Sequence, residues 1–278
     1  MGATKIEWTD SVWNPVHGCS HAGTPGCDNC YAKRMAVRLR GRYGYPGGYA
    51  DPESDPFDVV LDYDRLDEPL RWKKPRRVFV VSMGDLFHER VPADFVEDVF
   101  EVMSQCRQHT FLVLTKRPQN IQAKLYEQIG TSPRLLGGGD FLPNVWFGVT
   151  VENQDAADSR ILSLLSIPAA GYFVSNEPLL GPVTYEWAVW HALRNSNHLD
   201  GLRMLNWIIV GGETGPGARP MDPQWARAIR DECREAGVPF FFKKMGVSGP
   251  TPPDLEVREW PTDSLRTASN PVEVTDDA

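Results

Sequence analysis

The sequence predicts an α/β protein built as a closed or partly closed barrel of parallel strands alternating with helices. Three observations carry this. Short stretches that are apolar on both faces recur along the chain, and such strands belong to a parallel sheet covered by helices. Helix-patterned stretches separate them, giving six or seven βα units. The chain's 278 residues fall in the size range of a single such barrel, about 200–300 residues. A doubly wound open sheet is the alternative, but no G-x-G-x-x-G follows any strand.

Taken in order, Ile6–Asn14 is rich in β-branched and aromatic residues and reads as a first strand. A cysteine-bearing loop follows, then a helix from Tyr31 with Met35, Val37 and Leu39 as its apolar positions. GRYGYPGGYADPESDP breaks that helix into a long loop. Leu61–Trp72 holds a short helix, and Val78–Ser82 is a strong strand. Asp94–Arg107 is a helix with Pro92 as its start signal. The alternation continues through strand Phe111–Thr115, helix Pro118–Gln128, a glycine-rich loop and strand Val145–Val151. Helix Gln154–Leu165 and strand Tyr172–Ser175 come next, then a crossover with a helix around Glu186–Leu193. Strand Trp207–Gly211, helix Pro223–Ala236 and strand Pro239–Phe242 complete the pattern. Cys106 and Cys233 fall on helices and read as buried small hydrophobes. Trp8, Trp13, Trp146 and Trp207 lie in or beside strands and read as packing residues.

Residues 1–250 form the expected barrel and 251–278 an acidic, proline-containing extension. From Thr251 onward seven acids stand against Arg258 and Arg266, which accounts for most of the net charge of −8. That stretch is aperiodic and is expected to be a poorly ordered surface extension. No run of about 18 apolar residues exists, so no membrane span is expected. The start, MGATKIEWTD, lacks the basic and apolar regions of a signal peptide, which points to the cytoplasm. In a reducing compartment clustered cysteines bind metal more often than they pair.

Three of the five cysteines, Cys19, Cys27 and Cys30, fall within the segment GCSHAGTPGCDNCY in the pattern C-x7-C-x2-C. Thiolates that converge on one metal centre crowd in this way and need a pliable Gly/Pro backbone. Three thiolates suit an iron–sulfur cluster with one iron left open. They equally suit zinc, with His17 or His21 as the fourth ligand. A disulfide with a spare thiol is the third reading.

Each expected strand end carries a charged group or a glycine, and in barrels of this kind the chemistry sits at that rim. Met83-Gly84-Asp85, Lys116-Arg117, Glu152-Asn153, Asn176-Glu177-Pro178, Gly212-Glu213-Thr214 and Lys243-Lys244 occupy these places. His88, just beyond one strand end, reads as a hydrogen-bonded loop residue.

The segments TKIEWTDSVWNPVHGC, GCDNCYA, VSMGDLFHERVP, LTKRP, FGVTVENQ, NEPLLGP, VGGETGPGARP and PFFFKKMG resemble a family of phage and bacterial proteins. It is catalogued as a domain of unknown function and is related to the radical S-adenosylmethionine superfamily. The resemblance spans roughly residues 4–246. It implies a partial (β/α)6-type, TIM-like barrel with the cysteine loop after the first strand. It also implies a [4Fe–4S] cluster on Cys19, Cys27 and Cys30, with S-adenosylmethionine chelating the open iron. The superfamily's usual spacing is C-x3-C-x2-C, so this chain carries four extra residues between Cys19 and Cys27.

On that resemblance Asp85 meets the ammonium of S-adenosylmethionine, and Lys116 or Arg117 its carboxylate. Glu152 and Asn153, or Ser175, hydrogen-bond the ribose. Gly211 and Gly212 admit a flat base to the backbone, and Glu177 and Glu213 remain for substrate binding or proton handling. The implied activity is reductive cleavage of S-adenosylmethionine with hydrogen abstraction from a substrate. Its electrons would come from a reductant protein such as flavodoxin or ferredoxin. Two basic clusters, Lys33–Arg42 interleaved with tyrosines and Arg71–Arg77, point to DNA or RNA as the substrate, for repair or base modification. The competing reading is a zinc-stabilised barrel that binds nucleic acid or a partner without redox chemistry.

Overall fold

The computed structural model describes residues 4, 6–127, 141–185 and 200–261. Seven strands form one sheet in the order β1 (Ser11–Trp13), β4 (Arg77–Val80), β5 (Thr110–Thr115), β6 (Val145–Thr150), β7 (Gly171–Asn176), β8 (Trp207–Gly211) and β9 (Phe240–Lys244). Every neighbouring pair is parallel. The sheet curls into a half-barrel whose edge strands, β1 and β9, are not paired with each other. A small antiparallel ribbon, β2 (Val16–His17) with β3 (Val60–Leu61), stands beside it.

The alternation of strand side chains splits the core in two. On the convex face, Val113, Phe147, Val149 and Ile208 pack against α2 (Ala93–Gln105), α4 (Gln154–Leu165) and α6 (Pro223–Ala236). On the concave face, Trp8, Phe79, Trp146, Phe173, Trp207 and Phe241 form an aromatic floor. Two glycines make that floor possible. A Cβ on Gly148 would lie 2.4 Å from the Phe173 ring, and one on Gly171 2.3 Å from the Trp146 ring. Cys106 and Cys233 are buried, as expected, Cys106 at the end of α2 and Cys233 within α6.

The helices that carry their own capping residues begin and end where the sequence places them. Asn153 accepts from the Ala156 amide at the start of α4, and Asp222 from Gln224 at the start of α6. Gly237 ends α6 in the left-handed region at φ 73°.

Four segments differ from expectation. The first strand is only three residues long, because the chain before it turns (Thr9 N–H to Ile6 O) and sends Trp8 into the floor. Leu61–Trp72 holds two 3-10 turns, Tyr63–Arg65 and Glu68–Arg71, the second opened by Pro69. The helix expected over Pro118–Gln128 is α3 (Gln119–Gln122) continued by a π-helical turn, Ala123–Glu127. The helix expected around Glu186–Leu193 is not among these, since it lies outside the described residues, which resume at α5 (Asp200–Arg203) before β8.

The fourth departure is the start of the acidic extension, which is tied down over its described part. Phe242 N–H bonds to Val257 O and Glu259 N–H to Phe240 O, covering the free edge of β9. Leu255 is fully buried. Trp260 packs on Trp207, with centroids 5.3 Å apart, and carries the Arg77 guanidinium 3.8 Å above its ring. Two of the acids that made this stretch look solvated are partnered: Asp254 by Arg227 and Arg230, and Glu259 by the Phe240 amide. Residues 262–278 lie outside the described residues.

Candidate active site

The segment from Cys19 to Tyr31 lies across the carboxyl ends of the strands and is held there from several directions. Its entry is fixed by backbone bonds, Gly18 N–H to Met83 O and Cys19 N–H to Phe57 O, both 2.9 Å. Beyond that, three strand ends each send buried polar groups to it, one near each cysteine.

Near Cys19 the anchor is Arg117. Its Nη1 lies 3.4 Å from Cys19 Sγ, and its Nη2 reaches both the carbonyl and the hydroxyl oxygen of Ser20. The guanidinium is itself fixed by Glu89 and by Asp85. Asp85 accepts from the Phe87 and Lys116 amides and from the Thr115 hydroxyl. His88 completes the group. Its Nδ1 accepts from the Arg90 amide, so Nε2 carries the proton and donates to Ser20 Oγ at 2.7 Å. Burial and the nearby Arg117 hold the His88 imidazole below its usual range.

Ahead of Cys27 the anchor is Glu152, whose side chain is fully buried. It accepts from Thr24 Oγ1 at 2.9 Å and faces Lys116 Nζ at 3.2 Å and Arg160 Nη1 at 2.7 Å. Gly26 rests on it so closely that a Cβ there would fall 2.4 Å from Glu152 Oε1. Burial alone would raise the Glu152 carboxyl, but Lys116, Arg160 and Thr24 outweigh it and hold it below the usual range.

Beside Cys30 the anchor is Glu213. It accepts from Asn29 Nδ2 at 3.1 Å and is gripped by Arg219 through Nη2 at 2.6 Å and Nε at 3.0 Å. Arg219 also reaches the Pro25 carbonyl and Asp28. Burial opposes ionisation of Glu213, but the Arg219 and Asn29 bonds more than offset it. The next segment, α1 (Tyr31–Leu39), begins at Cys30 and is tied down on both sides. Tyr31 donates to Ser82 O beside β4, and Arg34 donates to Thr214 O beyond β8 and to Asn29 O.

The three cysteines are all free thiols and half-buried. Burial pushes the Cys19 thiol up to about 11, with Asp85 and Cys27 adding to the rise and Arg117 opposing it. Among the described residues no three His, Cys, Asp or Glu side chains are arranged to hold a metal ion. Three unpaired thiols at the mouth are nevertheless the donor chemistry a cluster takes. Of the two histidines considered as zinc ligands, His17 keeps a buried Nε2 without a hydrogen-bond partner among the described residues, whereas His21 does not. His17 is buried and stacked on Tyr45 with centroids 4.6 Å apart. His21 uses both ring nitrogens, accepting from Gly23 and bonding Asp28.

A second polar group stands over the aromatic floor. Glu177 accepts from Lys243 Nζ at 2.6 Å, from Trp8 Nε1 at 2.9 Å and from Ser175 Oγ at 3.3 Å. The Lys116, Lys243 and Glu177 side chains keep 20%, 19% and 17% of their surface exposed, whereas Asp85, Arg117, Glu152 and Glu213 are sealed.

The model of a family described as "Protein of unknown function (DUF5131)" matches residues 3–262. The chain belongs to that family. No curated protein matches the sequence. Two solved structures of spore photoproduct lyase are similar in fold, both at 11% identity and a TM-score of 0.44. One is a cysteine-to-serine variant, with 87% of this chain and 79% of that one covered. The other is complexed with dinucleoside spore photoproduct, with coverages of 82% and 75%.

In this DUF5131 chain several sequence-derived assignments change. Asp85 accepts four internal bonds, from Phe87, Thr115, Lys116 and Arg117. Arg117 is spent in the same way. Asn153 caps α4. The two glycines assigned to a flat base lie close against protein on their Cβ side. A Cβ on Gly212 would lie 2.3 Å from Met245 O, and one on Gly211 3.0 Å from Glu177 Oε1, so protein already fills both positions. Sequence reasoning also missed Thr24, Asn29, Arg160 and Arg219. Arg219 offered a signal, being six residues beyond Glu213 in a Gly/Pro loop that folds back. Arg160 offered none, since a helical arginine in the sequence reads as solvent-facing.

Proposed function

We propose that this chain is an iron–sulfur enzyme of the radical S-adenosylmethionine type, with Cys19, Cys27 and Cys30 as the ligands of a [4Fe–4S] cluster. The observation that carries the reading is the three-fold anchoring of the cysteine segment by Arg117, Glu152 and the Glu213–Arg219 pair. A plain surface turn has no use for three buried polar anchors, each costly to desolvate. A segment that must present three sulfurs at fixed places does. When bound, such a cluster supplies the electron for reductive cleavage of S-adenosylmethionine, drawn from a reductant such as flavodoxin or ferredoxin. The reaction class is that cleavage coupled to hydrogen abstraction from a substrate.

The remaining roles follow from which paired groups keep exposed surface at the mouth. Lys116 is the cation available for a carboxylate, because Arg117 is fully used. Glu177, with Ser175 and Lys243, is the accessible polar group over the floor, and takes an ammonium or a substrate hydroxyl. Asp85 and Glu152 position the segment instead of touching the cofactor. The zinc reading has less support, because His21 uses both ring nitrogens and the His17 ring is buried against Tyr45.

Anaerobic reconstitution with iron and sulfide tests this. About four irons per chain, charge-transfer absorbance and 5′-deoxyadenosine formed on reduction are the expected results. Cys27→Ala should lose the iron. A colourless protein holding one equivalent of zinc, or a Cys27→Ala variant that retains full iron, overturns the reading.

A further inference from the structure

We infer that the surface running from α1 through Tyr49 binds single-stranded nucleic acid and leads it to the cysteine mouth. Lys33, Arg38, Arg40 and Arg42 are all exposed, and no acid occurs between Cys30 and Asp51. None of these four cations is in an ion pair among the described residues. By contrast Arg65, Arg77, Arg90, Arg227, Arg230 and Arg258 each face a carboxylate. In a chain of net charge −8 this is a concentration of uncompensated positive charge, the complement of a phosphate backbone.

Two tyrosines separate this surface from an ordinary solvated helix face. Tyr43 is 70% exposed and Tyr49 is wholly exposed, where aromatic rings stack on unpaired bases. The structure also removes members that the sequence groups with them. Tyr45 is buried on His17, and Arg34 is turned into the Thr214 and Asn29 carbonyls. In the second basic cluster Arg76 lies over the buried Trp72 ring and Arg77 is held by Asp10 and Trp260, while Arg71, Lys73 and Lys74 remain exposed. It also sits at the amino end of β4, away from the mouth.

Position supplies the direction. α1 starts at Cys30 and its first turn is pinned to both sides of the mouth by Tyr31 and Arg34. At its other end, beyond Tyr49, exposed Asp51 and Glu53 would repel phosphate. The attractive track therefore runs between Tyr49 and Cys30. This deepens the reading above by naming a substrate class. It rests on that reading only for the strand's destination, since binding itself needs no cluster.

Fluorescence anisotropy with a labelled oligothymidylate of about 15 nucleotides tests it, using the full chain with and without reconstituted iron. Binding should weaken with salt at a log–log slope of about −3, from four cations at roughly 0.7 each. The R38E/R40E/R42E variant should weaken binding at least about ten-fold and flatten the slope. The Y43A/Y49A variant should weaken it about five-fold or more with the slope unchanged. Absence of binding at low salt overturns the inference, as does binding by both variants as tight as by the wild-type chain. So does equal affinity for phosphatidylserine vesicles or polyglutamate, which would mark a general attraction to anions. Binding lost with iron retained removes this inference alone. Iron lost with binding retained removes the earlier reading alone.

Discussion

Arg219 Nη2 lies 2.6 Å from Glu213 Oε1, and the same nitrogen reaches the Pro25 carbonyl at 2.7 Å. One guanidinium thus joins the end of β8 to the middle of the cysteine segment. Cutting that joint should loosen Cys27 and Cys30 before it unfolds the barrel.

Arg219→Ala should raise the alkylation rate of Cys27 and Cys30 by iodoacetamide several-fold. Global stability should fall by only about 1–3 kcal/mol, since Glu213 keeps Asn29 and the backbone amide of residue 219 as partners. Peptide mapping of the alkylated protein reads the first quantity and urea unfolding the second. Unchanged alkylation would show that the segment is rigid without this joint.

Removal of Glu152 should cost more. It is the shared counter-charge of Lys116 and the buried Arg160, so Glu152→Ala strands both cations and should destabilise by about 3–5 kcal/mol. Glu152→Gln keeps the Thr24 bond and should fall between wild type and Ala. A loss below about 1 kcal/mol in urea unfolding would mean that water replaces the carboxylate.

The pH dependence has a definite sign. Glu152 and Glu213 both titrate below the ordinary value of 4.5 when folded. Their stabilising contribution is therefore complete above that unfolded value and is lost as pH falls through the lower folded values. Melting temperature should show no loss from these groups between pH 7 and about pH 5, then a decline below about pH 4. In Glu152→Gln the acid decline should be shallower. An identical decline in that variant would assign it to other carboxylates.

In the floor, Gly148→Ala forces a methyl to within 2.4 Å of the Phe173 ring, and the strand and ring must shift to admit it. The expected cost is about 1–3 kcal/mol, measured as a lower urea midpoint with an unchanged slope. An unchanged midpoint would show that the floor has slack at this layer.

The parts of this molecule that are local in sequence could be read from it. The bounds of α4 and α6 follow from Asn153, Asp222, Pro223 and Gly237, each of which acts on its own helix end. The parallel sheet follows from strands that are apolar on both faces. The rim was legible as a place but not as a set of roles. Asp85, Arg117 and Glu152 have partners on other strand ends, and the distance along the chain carries no trace of such pairings. Gly212 illustrates the same limit, since a bare backbone reads alike whether it receives a ligand or the carbonyl of Met245. Ile6–Asn14 misled for a different reason: aromatic and β-branched composition marks burial, and Trp8 is buried without lying in a strand.

The half-barrel's two edges meet through rings instead of a ladder, and this bears on when the molecule is finished. Trp8 reaches Glu177, 169 residues away in sequence, and that carboxylate is also held by Lys243. Trp260 closes the same seam from the other end of the described chain. During synthesis Trp8 can pack on Phe79, 4.7 Å away, once β4 is made, but its Glu177 partner emerges 169 residues after it. Closure of this seam is therefore a late event, complete only when Trp260 has been made and packs on Trp207 and Phe241.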